Sequence, residues 1–459
     1  MPTKKSRVDR GERRSPSLTL EVRKRGSDSL RVAIADPSNL IYSDDYREGW
    51  KHGFEAFADV KVFDIGPLAK PSLYGRGPYS SKGWPNYPKQ LADQIIRWTP
   101  DLLWCHHGRA ASSEQFIDRV KQARIKTGVY LCDEPYESGE TLRYARRFDF
   151  VFTMDPCTIP PHKAAGSKHV FYLPPGVEVG RFDIARAFVD RPTPALFLGN
   201  ATLTPRPPFL RTIERHVPGA KILYWKTTRK GEPGWVGIDK YPQLYAGTKI
   251  GLNIHRDPSM SQECFTRRVR QKKHLVPAGY EQEVKAPLKW GTGFWNDLNL
   301  PAQHVNPRFF EMAAAGCLVV SDSTRFELAR MFPSAPRAED PDHFLELVLY
   351  YLENLAEAEA IGHQCKQQVS SLHTYRHRAA EVLIRAGLLA SSEVNRFTSL
   401  GEPLDWLTPQ DFNERGESLS WAPTGAFARF DPAFGRSQMG QSGRPSRDGS
   451  LSFRPAWLP

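Results

Sequence analysis

Residues 306–322 read NPRFFEMAAAGCLVVSD and combine two secondary-structure signals. Asn306 to Ala315 are predicted to form a helix, in which the small residues Ala313 to Gly316 allow tight packing on a sheet. The apolar run from Cys317 to Asp322 then predicts a buried strand. A helix joined directly to a buried strand indicates an α/β protein.

The same alternation of strands and helices extends over most of the chain. Helices of about 10–15 residues between strands favour βαβ units and a parallel sheet. We predict strands at Leu30–Ala35, Val60–Asp64, Asp101–Gly108, Lys126–Pro135, Phe148–Thr153, His169–Gly176, Ala195–Asn200, Ala220–Trp225, Ile250–His255 and Cys317–Asp322. We predict helices at Tyr46–Phe57, Pro88–Trp98, Ser112–Ala123, Pro207–Arg215, Gln243–Ala246, Asn306–Ala315, Pro341–Glu359 and Tyr375–Leu389.

The alternation restarts after a Pro-containing linker at residues 190–194, which divides the chain into two doubly wound α/β domains. We expect a cleft between them, because ligands of open α/β sheets bind beyond the carboxyl ends of the strands. Residues 1–30 are predicted to be a flexible basic arm, and residues 391–459, rich in Gly, Pro and Ser, a mostly disordered tail. Residues 256–305 do not fit the alternation and form an insertion.

Composition sets the broad class. The chain has 459 residues, with 40% hydrophobic and 25% charged residues, as expected for a globular protein of two to four domains. It has no run of about 18 apolar residues, so we expect no transmembrane segment, and the N-terminal region lacks the apolar centre of a secretory signal. Six cysteines lie far apart without a Cys-x-x-Cys pair, which argues against a disulfide framework or a zinc module. We therefore expect a cytoplasmic protein.

The formal net charge of +12 suggests a nucleic-acid partner, but half of it lies at the N-terminus, where residues 1–31 hold ten Lys/Arg and four Asp/Glu. The remaining cluster of interest is Arg267–Lys273 in the insertion, followed by Trp290, Phe294 and Trp295. Basic and aromatic side chains together are typical of a groove for an anionic polymer. A solvated basic loop is the alternative interpretation.

Arg308 and Glu311 are the candidate binding residues of the 306–322 segment. They lie three residues apart and so share one face of the predicted helix. The Glu311 carboxylate could accept two ribose hydroxyl hydrogen bonds, and the planar Arg308 guanidinium suits a diphosphate. The alternative is that the two side chains simply pair with each other.

The pattern Asn-x-Arg-x-x-Glu-x-x-Ala-x-Gly followed by an apolar strand resembles the C-terminal motif of GT-B glycosyltransferases of the group 1 type, in particular the CgeB-like group. Supporting similarities include Leu131–Pro135, Asp149–Asp155, Val170–Val177, Phe197–Asn200, Gly251–His255 and His373–Arg378, in matching order. The resemblance implies a GT-B fold, with an N-terminal acceptor domain at 31–190 and a nucleotide-sugar domain at 191–373. Residues 374–390 would be a helix that crosses back to the first domain.

The resemblance also implies roles for individual residues. Glu311 would bind the donor ribose, and Arg308 with the backbone after Gly199 the diphosphate. The full set of expected nucleotide-sugar contacts is Gly199, Asn200, His255, Arg256, Asn306, Arg308 and Glu311. Gln303 replaces a glutamate that relatives use to hold the sugar, which leaves the sugar undetermined. No cofactor is expected other than the donor substrate, and no residues are predicted to bind a metal.

A general base should lie in the first domain, close to the acceptor hydroxyl. Our candidates are Asp133, Glu134, His106 and His107, because each follows a strand and should point towards the cleft. Structural roles such as helix capping are the alternative for each of them.

The leading hypothesis is a metal-independent glycosyltransferase that uses a nucleotide-diphosphate sugar and an unidentified acceptor hydroxyl. A second hypothesis is glycosylation of hydroxylated bases of DNA, held through Arg267–Lys273. A third is a catalytically silent binding or structural protein of the same fold.

Overall fold

The structure is a computed structural model that describes residues 29–36, 43–65, 87–108, 110–199, 201, 205–223, 236–256 and 300–390. The predicted basic arm, the Arg267–Lys273 cluster with its neighbouring aromatic residues, and the predicted tail lie outside these residues. Asn200 and the last two residues of the strand predicted at Ala220–Trp225 lie outside them as well. The described residues hold both predicted α/β halves.

The first half is built on a six-stranded parallel sheet with the order β2-β1-β3-β4-β5-β6. Its strands are β1 Arg31–Asp36, β2 Asp59–Asp64, β3 Leu102–His106, β4 Lys126–Leu131, β5 Phe150–Thr153 and β6 His169–Tyr172. Every residue of β3 is buried, because helices cover both faces of the sheet. The order reverses between β1 and β3, which is the position where such sheets bind ligands.

Helices of the first half are α1 Ser43–Glu55, α2 Tyr87–Trp98, α3 Arg119–Gln122, α4 Ser138–Tyr144, α5 Ile159–Ala164 and α6 Val179–Phe182. The single helix predicted at Ser112–Ala123 is wrong in detail. A 3₁₀ turn, Ala110–Ser112, and a π-helical turn, Glu114–Asp118, precede α3. The extended backbone of Ser113, with φ −65° and ψ 146°, separates the two turns.

The second half is built on a five-stranded parallel sheet with the order β11-β10-β9-β7-β8. Its strands are β7 Thr193–Leu198, β8 Lys221–Leu223, β9 Thr248–Asn253, β10 Leu318–Asp322 and β11 Arg337–Ala338. Its helices are α7 Arg206–His216, α8 Tyr241–Ala246, α9 Pro307–Ala314, α10 Phe326–Met331, α11 Pro341–Glu353 and α12 Leu355–Leu372. Two doubly wound sheets confirm the predicted fold class.

One long helix predicted at Pro341–Glu359 is instead two helices. Asn354, with φ −112° and ψ 60°, ends α11 and precedes α12, which continues to Leu372. The apolar pattern does not reveal this break, since buried residues on both sides of Asn354 face the same sheet. Helices α4, α5, α6 and α10 and the two-residue strand β11 were not predicted from the sequence.

A last helix, α13 Tyr375–Arg385, follows the second half in sequence but packs on the first. Its buried residues Tyr375, Ala379 and Leu383 belong to the same apolar cluster as Trp50 and Phe54 of α1. The Thr374 side chain accepts a hydrogen bond from the backbone N–H of His377 and so caps the helix. This helix therefore joins the two halves.

Gly53 of α1 is required by the close approach of α13. A β-carbon at Gly53 would lie 2.5 Å from the carbonyl oxygen of Tyr375, which is backbone and cannot rotate away. We expect Gly53→Ala to destabilise the protein by about 1–3 kcal/mol, as overpacking does. Gly180→Ala is the matched control, since its nearest neighbour would be the Glu178 carboxylate at 3.7 Å. Equal thermal unfolding midpoints for the two variants would contradict the prediction.

Candidate active site at the carboxyl edges of the two sheets

Polar side chains are hydrogen-bonded to one another at the carboxyl edge of the second sheet. Asn253 ends β9, and its side-chain amide donates to Ser321 Oγ of β10 at 2.7 Å. Asn306, the N-cap of α9, donates through Nδ2 to Asn253 Oδ1 at 2.6 Å. His255 Nδ1 lies 2.9 Å from Asp322 Oδ2, which also accepts from the His255 backbone N–H. This network fixes the edge where a ligand would bind.

The His255 imidazole is neutral at pH 7, because burial lowers its pKa to about 4. Burial opposes the charge of Asp322, but the hydrogen bond from His255, the charge of Arg325 and the hydrogen bond from Thr324 outweigh it and hold the pKa of that carboxyl low. His255 therefore presents an N–H to an ionised Asp322. Its other nitrogen, Nε2, faces the backbone N–H of Asn306 at 3.5 Å.

Arg308 and Glu311 lie on α9 and form an ion pair. Arg308 Nη1 lies 2.7 and 2.8 Å from the two carboxylate oxygens of Glu311. Tyr245 donates its hydroxyl to Glu311 Oε2 at 3.2 Å, and the Arg308 guanidinium lies over the Tyr241 ring at 4.8 Å. The pairing of Arg308 with Glu311, which was the alternative interpretation of this motif, is thus present. It holds the Glu311 carboxylate in one orientation and engages the Arg308 guanidinium that was expected to bind the diphosphate.

Three arginines concentrate positive charge beside this edge. Arg325 is 1% exposed and donates to the Tyr136 hydroxyl at 3.0 Å and to the Arg256 carbonyl at 2.6 Å. The Arg256 guanidinium lies 4.8 Å from the centre of the Tyr136 ring. Burial, with the charge of Arg256, lowers the pKa of Arg206 to about 9. An anion placed here would relieve the repulsion among these cations.

Arg256 was among the residues predicted from the sequence to contact the donor, whereas Arg206 and Arg325 were not. Arg325 follows β10 by three residues, and Arg206 is the first residue of α7, which follows β7. Both positions come shortly after a strand, at the carboxyl edge of the sheet, which is the signal that could have identified them.

The carboxyl edge of the first sheet brings His107 and Asp133 together. His107 Nε2 lies 3.1 Å from Asp133 Oδ2, and its Nδ1 lies 3.3 Å from Glu137 Oε2. Burial disfavours the charged imidazole, but Cys132, Glu137 and Asp133 raise the pKa of His107 well above its usual value. Arg256 Nη2 of the second half lies 3.9 Å from Asp133 Oδ1. The carboxyl edges of the two sheets are therefore in contact through Arg256 and Asp133.

His106 and Glu134 are placed differently from the expectation that they point towards the cleft. His106 is 5% exposed, is stacked on Tyr46 and lies with Nε2 3.4 Å from Cys132 Sγ. Glu134 is fully buried, contacts the Thr141 hydroxyl and lies 3.3 Å from His162 Nε2. Consecutive residues after a strand tend to point to opposite sides, so the exposure of Asp133 places Glu134 in the core.

Gly199 and Gln303 form hydrogen bonds with neighbouring segments of the chain. The Gly199 N–H donates to the carbonyl of Leu223 at 3.0 Å, beyond the end of β7. Gln303 uses its side-chain oxygen to accept the N–H of Phe326 at 3.2 Å, where α10 begins. Its own backbone N–H donates to Asp155 of the first half at 2.8 Å. Gln303 therefore contributes to the contact between the two halves.

Buried neutral histidines make the fold sensitive to acid. Burial, with the charge of His107, lowers the pKa of His106 to about 3, and burial lowers that of His377 to about 3. The unfolded chain binds these protons below pH ~6.5 while the folded chain does not, so the contribution of these two histidines to stability falls from pH 6.5 towards pH 3. At pH 5 the loss is about 2 kcal/mol per histidine relative to neutral pH.

Urea unfolding of the wild type and of His106→Gln at pH 7 and pH 5 measures this loss. The variant removes one of the titrating groups and keeps a neutral polar side chain. We expect its loss on acidification to be smaller than that of the wild type by about 2 kcal/mol. An equal loss in both proteins would contradict the assignment to His106.

The family comparison concerns the second half of the chain. Residues 290–384 match the family model described as glycosyl transferase-like. This range contains Asn306, Arg308, Glu311, Asp322 and Arg325, and it ends one residue before the end of α13. The chain therefore carries a glycosyl transferase-like segment, and this segment contains half of the candidate site. No curated protein matches the sequence.

The solved structures that match the chain include the following three. Anabaena HepE, solved with UDP and glucose, is 12% identical, with 78% of this chain and 100% of HepE covered and a TM-score of 0.49. Sucrose-phosphate synthase from Thermosynechococcus elongatus is 11% identical, with 79% and 100% covered and a TM-score of 0.41. The glycosyltransferase SnogD from Streptomyces nogalater is 10% identical, with 78% and 100% covered and a TM-score of 0.33.

No helix among the described residues is both long and apolar enough to span a membrane.

Proposed function

We propose that this chain is a GT-B glycosyltransferase, which moves a sugar from a nucleotide-diphosphate sugar to an acceptor hydroxyl. The observation that carries the proposal is the position of Glu311. Glu311 lies on α9, inside the segment that matches the glycosyl transferase-like family and beside the carboxyl edge of the second sheet. Its carboxylate is oriented by Arg308 of the same helix and by Tyr245 of α8. The CgeB-like subtype stays a prediction within this class.

On the donor side, Glu311 would accept hydrogen bonds from the ribose hydroxyls, as a carboxylate has about four lone-pair sites and can serve further donors. Arg206, Arg256 and Arg325 would bind the diphosphate. Departure of a nucleoside diphosphate builds negative charge, and preorganised cations at that point lower the barrier. We propose that these arginines, rather than a metal ion, neutralise the leaving group.

On the acceptor side, the His107–Asp133 pair is the proposed general base. The Asp133 side chain is 34% exposed and the His107 side chain 24% exposed, so both can be reached by a substrate. The Glu137 carboxylate lies 3.3 Å from Nδ1 of His107, and Nε2 is directed at Asp133. Because its surroundings raise the pKa of His107 well above the usual value, the free base forms at higher pH than for an ordinary histidine, and transfer should become faster as the pH rises through that pKa.

The test is a panel of nucleotide-diphosphate sugars, measured by thermal shift and by release of the nucleoside diphosphate. A donor that binds only the folded protein raises the unfolding temperature, by an amount that grows with its concentration. We expect several sugars linked to the same nucleoside diphosphate to raise the unfolding temperature. At least one of these nucleotide sugars should also be consumed. If no nucleotide sugar stabilised the protein or was consumed, the proposed function would be wrong.

A further inference from the structure

A cluster at the end of the first sheet has the composition of a transition-metal site. His107 follows β3, and Cys132 and Asp133 follow the neighbouring strand β4. One nitrogen, one sulfur and one carboxylate oxygen from these residues all lie within 4.8 Å of one another. In a tetrahedral zinc site the ligand atoms are ~3.5 Å apart, so side-chain movements of about 1 Å would complete the arrangement.

A second observation concerns the imidazole of His107. Its Nε2 faces Asp133 at 3.1 Å, while its Nδ1 lies 3.3 Å from the Glu137 carboxylate. Glu137 is 3% exposed. Metal-binding histidines commonly donate their second ring N–H to a carboxylate, which fixes the tautomer and directs the other nitrogen at the metal. Glu137 is placed to do this for His107.

We propose that His107 Nε2, Cys132 Sγ and Asp133 Oδ2 bind a divalent transition-metal ion of the zinc type. A ligand set of one thiolate, one imidazole and one carboxylate suits such an ion better than Mg²⁺ or Ca²⁺, which prefer oxygen ligands. On binding, the Cys132 thiol and the Nε2 position of His107 each release a proton to solvent, and a sulfur–metal and a nitrogen–metal bond form. Three protein ligands leave a fourth position for water.

Metal binding has a consequence that rests on the proposed function. The nitrogen and oxygen atoms that would hold the ion are the same atoms that form the proposed general base. An occupied site cannot remove a proton from the acceptor through them, so zinc would inhibit sugar transfer. The site would thus make the enzyme responsive to the available metal.

The direct test titrates the metal-free full chain with Co²⁺ and with Zn²⁺, without any sugar donor. We expect one ion per chain and, with Co²⁺, a thiolate charge-transfer absorption in the near ultraviolet that Zn²⁺ abolishes. Cys132→Ser should remove this absorption, whereas Cys365→Ser, which changes a buried cysteine of α12, should retain it. Glu137→Gln should weaken the affinity about 10–100-fold, as loss of an orienting partner does.

Absence of stoichiometric binding, or an absorption that persists in Cys132→Ser, would overturn the proposal. Asp133→Asn changes a partly exposed side chain, and circular dichroism checks that the variant folds. We expect it to weaken Co²⁺ binding at least about 10-fold. Unchanged Co²⁺ affinity in folded Asp133→Asn would also contradict the site. These outcomes are independent of sugar transfer, because no donor is present.

Discussion

Glu311→Gln is expected to weaken binding of the nucleotide-diphosphate sugar by at least about 10-fold. A hydrogen bond to a charged group contributes about 1.5–3 kcal/mol, and the variant replaces an ionised acceptor with a neutral amide. One of its two acceptor oxygens also becomes an NH₂ group, which repels a ribose hydroxyl donor and Arg308. Isothermal titration with the donor, or with the free nucleoside diphosphate, measures the loss.

Glu353→Gln is the matched control for this experiment. Glu353 ends α11 at an exposed position, so the same change in charge occurs away from the site. We expect donor affinity within about twofold of wild type there, as for surface substitutions in general. If folded Glu311→Gln bound the donor as tightly as this control, the assignment of the ribose site would be wrong.

Asp155→Asn is expected to cost about 3–5 kcal/mol of stability, because several hydrogen bonds to one buried charge are weakened together and each contributes about 1.5–3 kcal/mol. Asp155 is fully buried, and its Oδ2 accepts from the backbone N–H groups of Gln303 and His304 at 2.8 and 3.0 Å. Nδ1 of His304 lies 2.8 Å from the same oxygen. Although burial alone would raise it, hydrogen bonds from His304 lower the pKa of Asp155. An amide cannot satisfy all of these donors.

The control for Asp155→Asn is Asp183→Asn. Asp183 pairs with Lys366 at 2.7 Å, but its side chain is 61% exposed, so the pair contributes less than about 1 kcal/mol. Thermal unfolding at one fixed scan rate compares the two variants. A similar decrease in unfolding temperature for both would mean that the Asp155–His304 contact does not hold the two halves together.

The fold was predictable because its signal is local and repeated. Short apolar runs such as Leu102–His106 are buried on both faces, and the intervening helices have their own periodicity. The break at Asn354 and the turns before α3 were not predictable, because a single backbone conformation does not alter the apolar pattern. Whether a segment forms a helix or a strand could therefore be predicted from the sequence, but the residues at which it begins and ends could not.

Part of the candidate site was predictable for a similar reason. Asn306, Arg308 and Glu311 lie in one continuous motif, and His107 and Asp133 each follow a strand. Contacts between distant segments were not predictable. Asp155 with His304, and Arg325 with Tyr136, join residues more than 140 positions apart, and only the packing of the two halves brings them together. Glu134 is a prediction that failed. Its position after a strand predicts a side chain that points into the cleft, but the side chain lies in the core.

Helix α13 determines when the first half can be completed during synthesis. Residues 375–385 cover α1, whose residues are made more than 300 positions earlier. While the ribosome is translating the second half, the Trp50 and Phe54 side chains have no Tyr375 or Leu383 to pack against. The first half therefore keeps an exposed apolar surface until almost all of the described residues have left the ribosome. Its final folding step comes after the second half has been made, which reverses the usual order in which domains mature from the N-terminus.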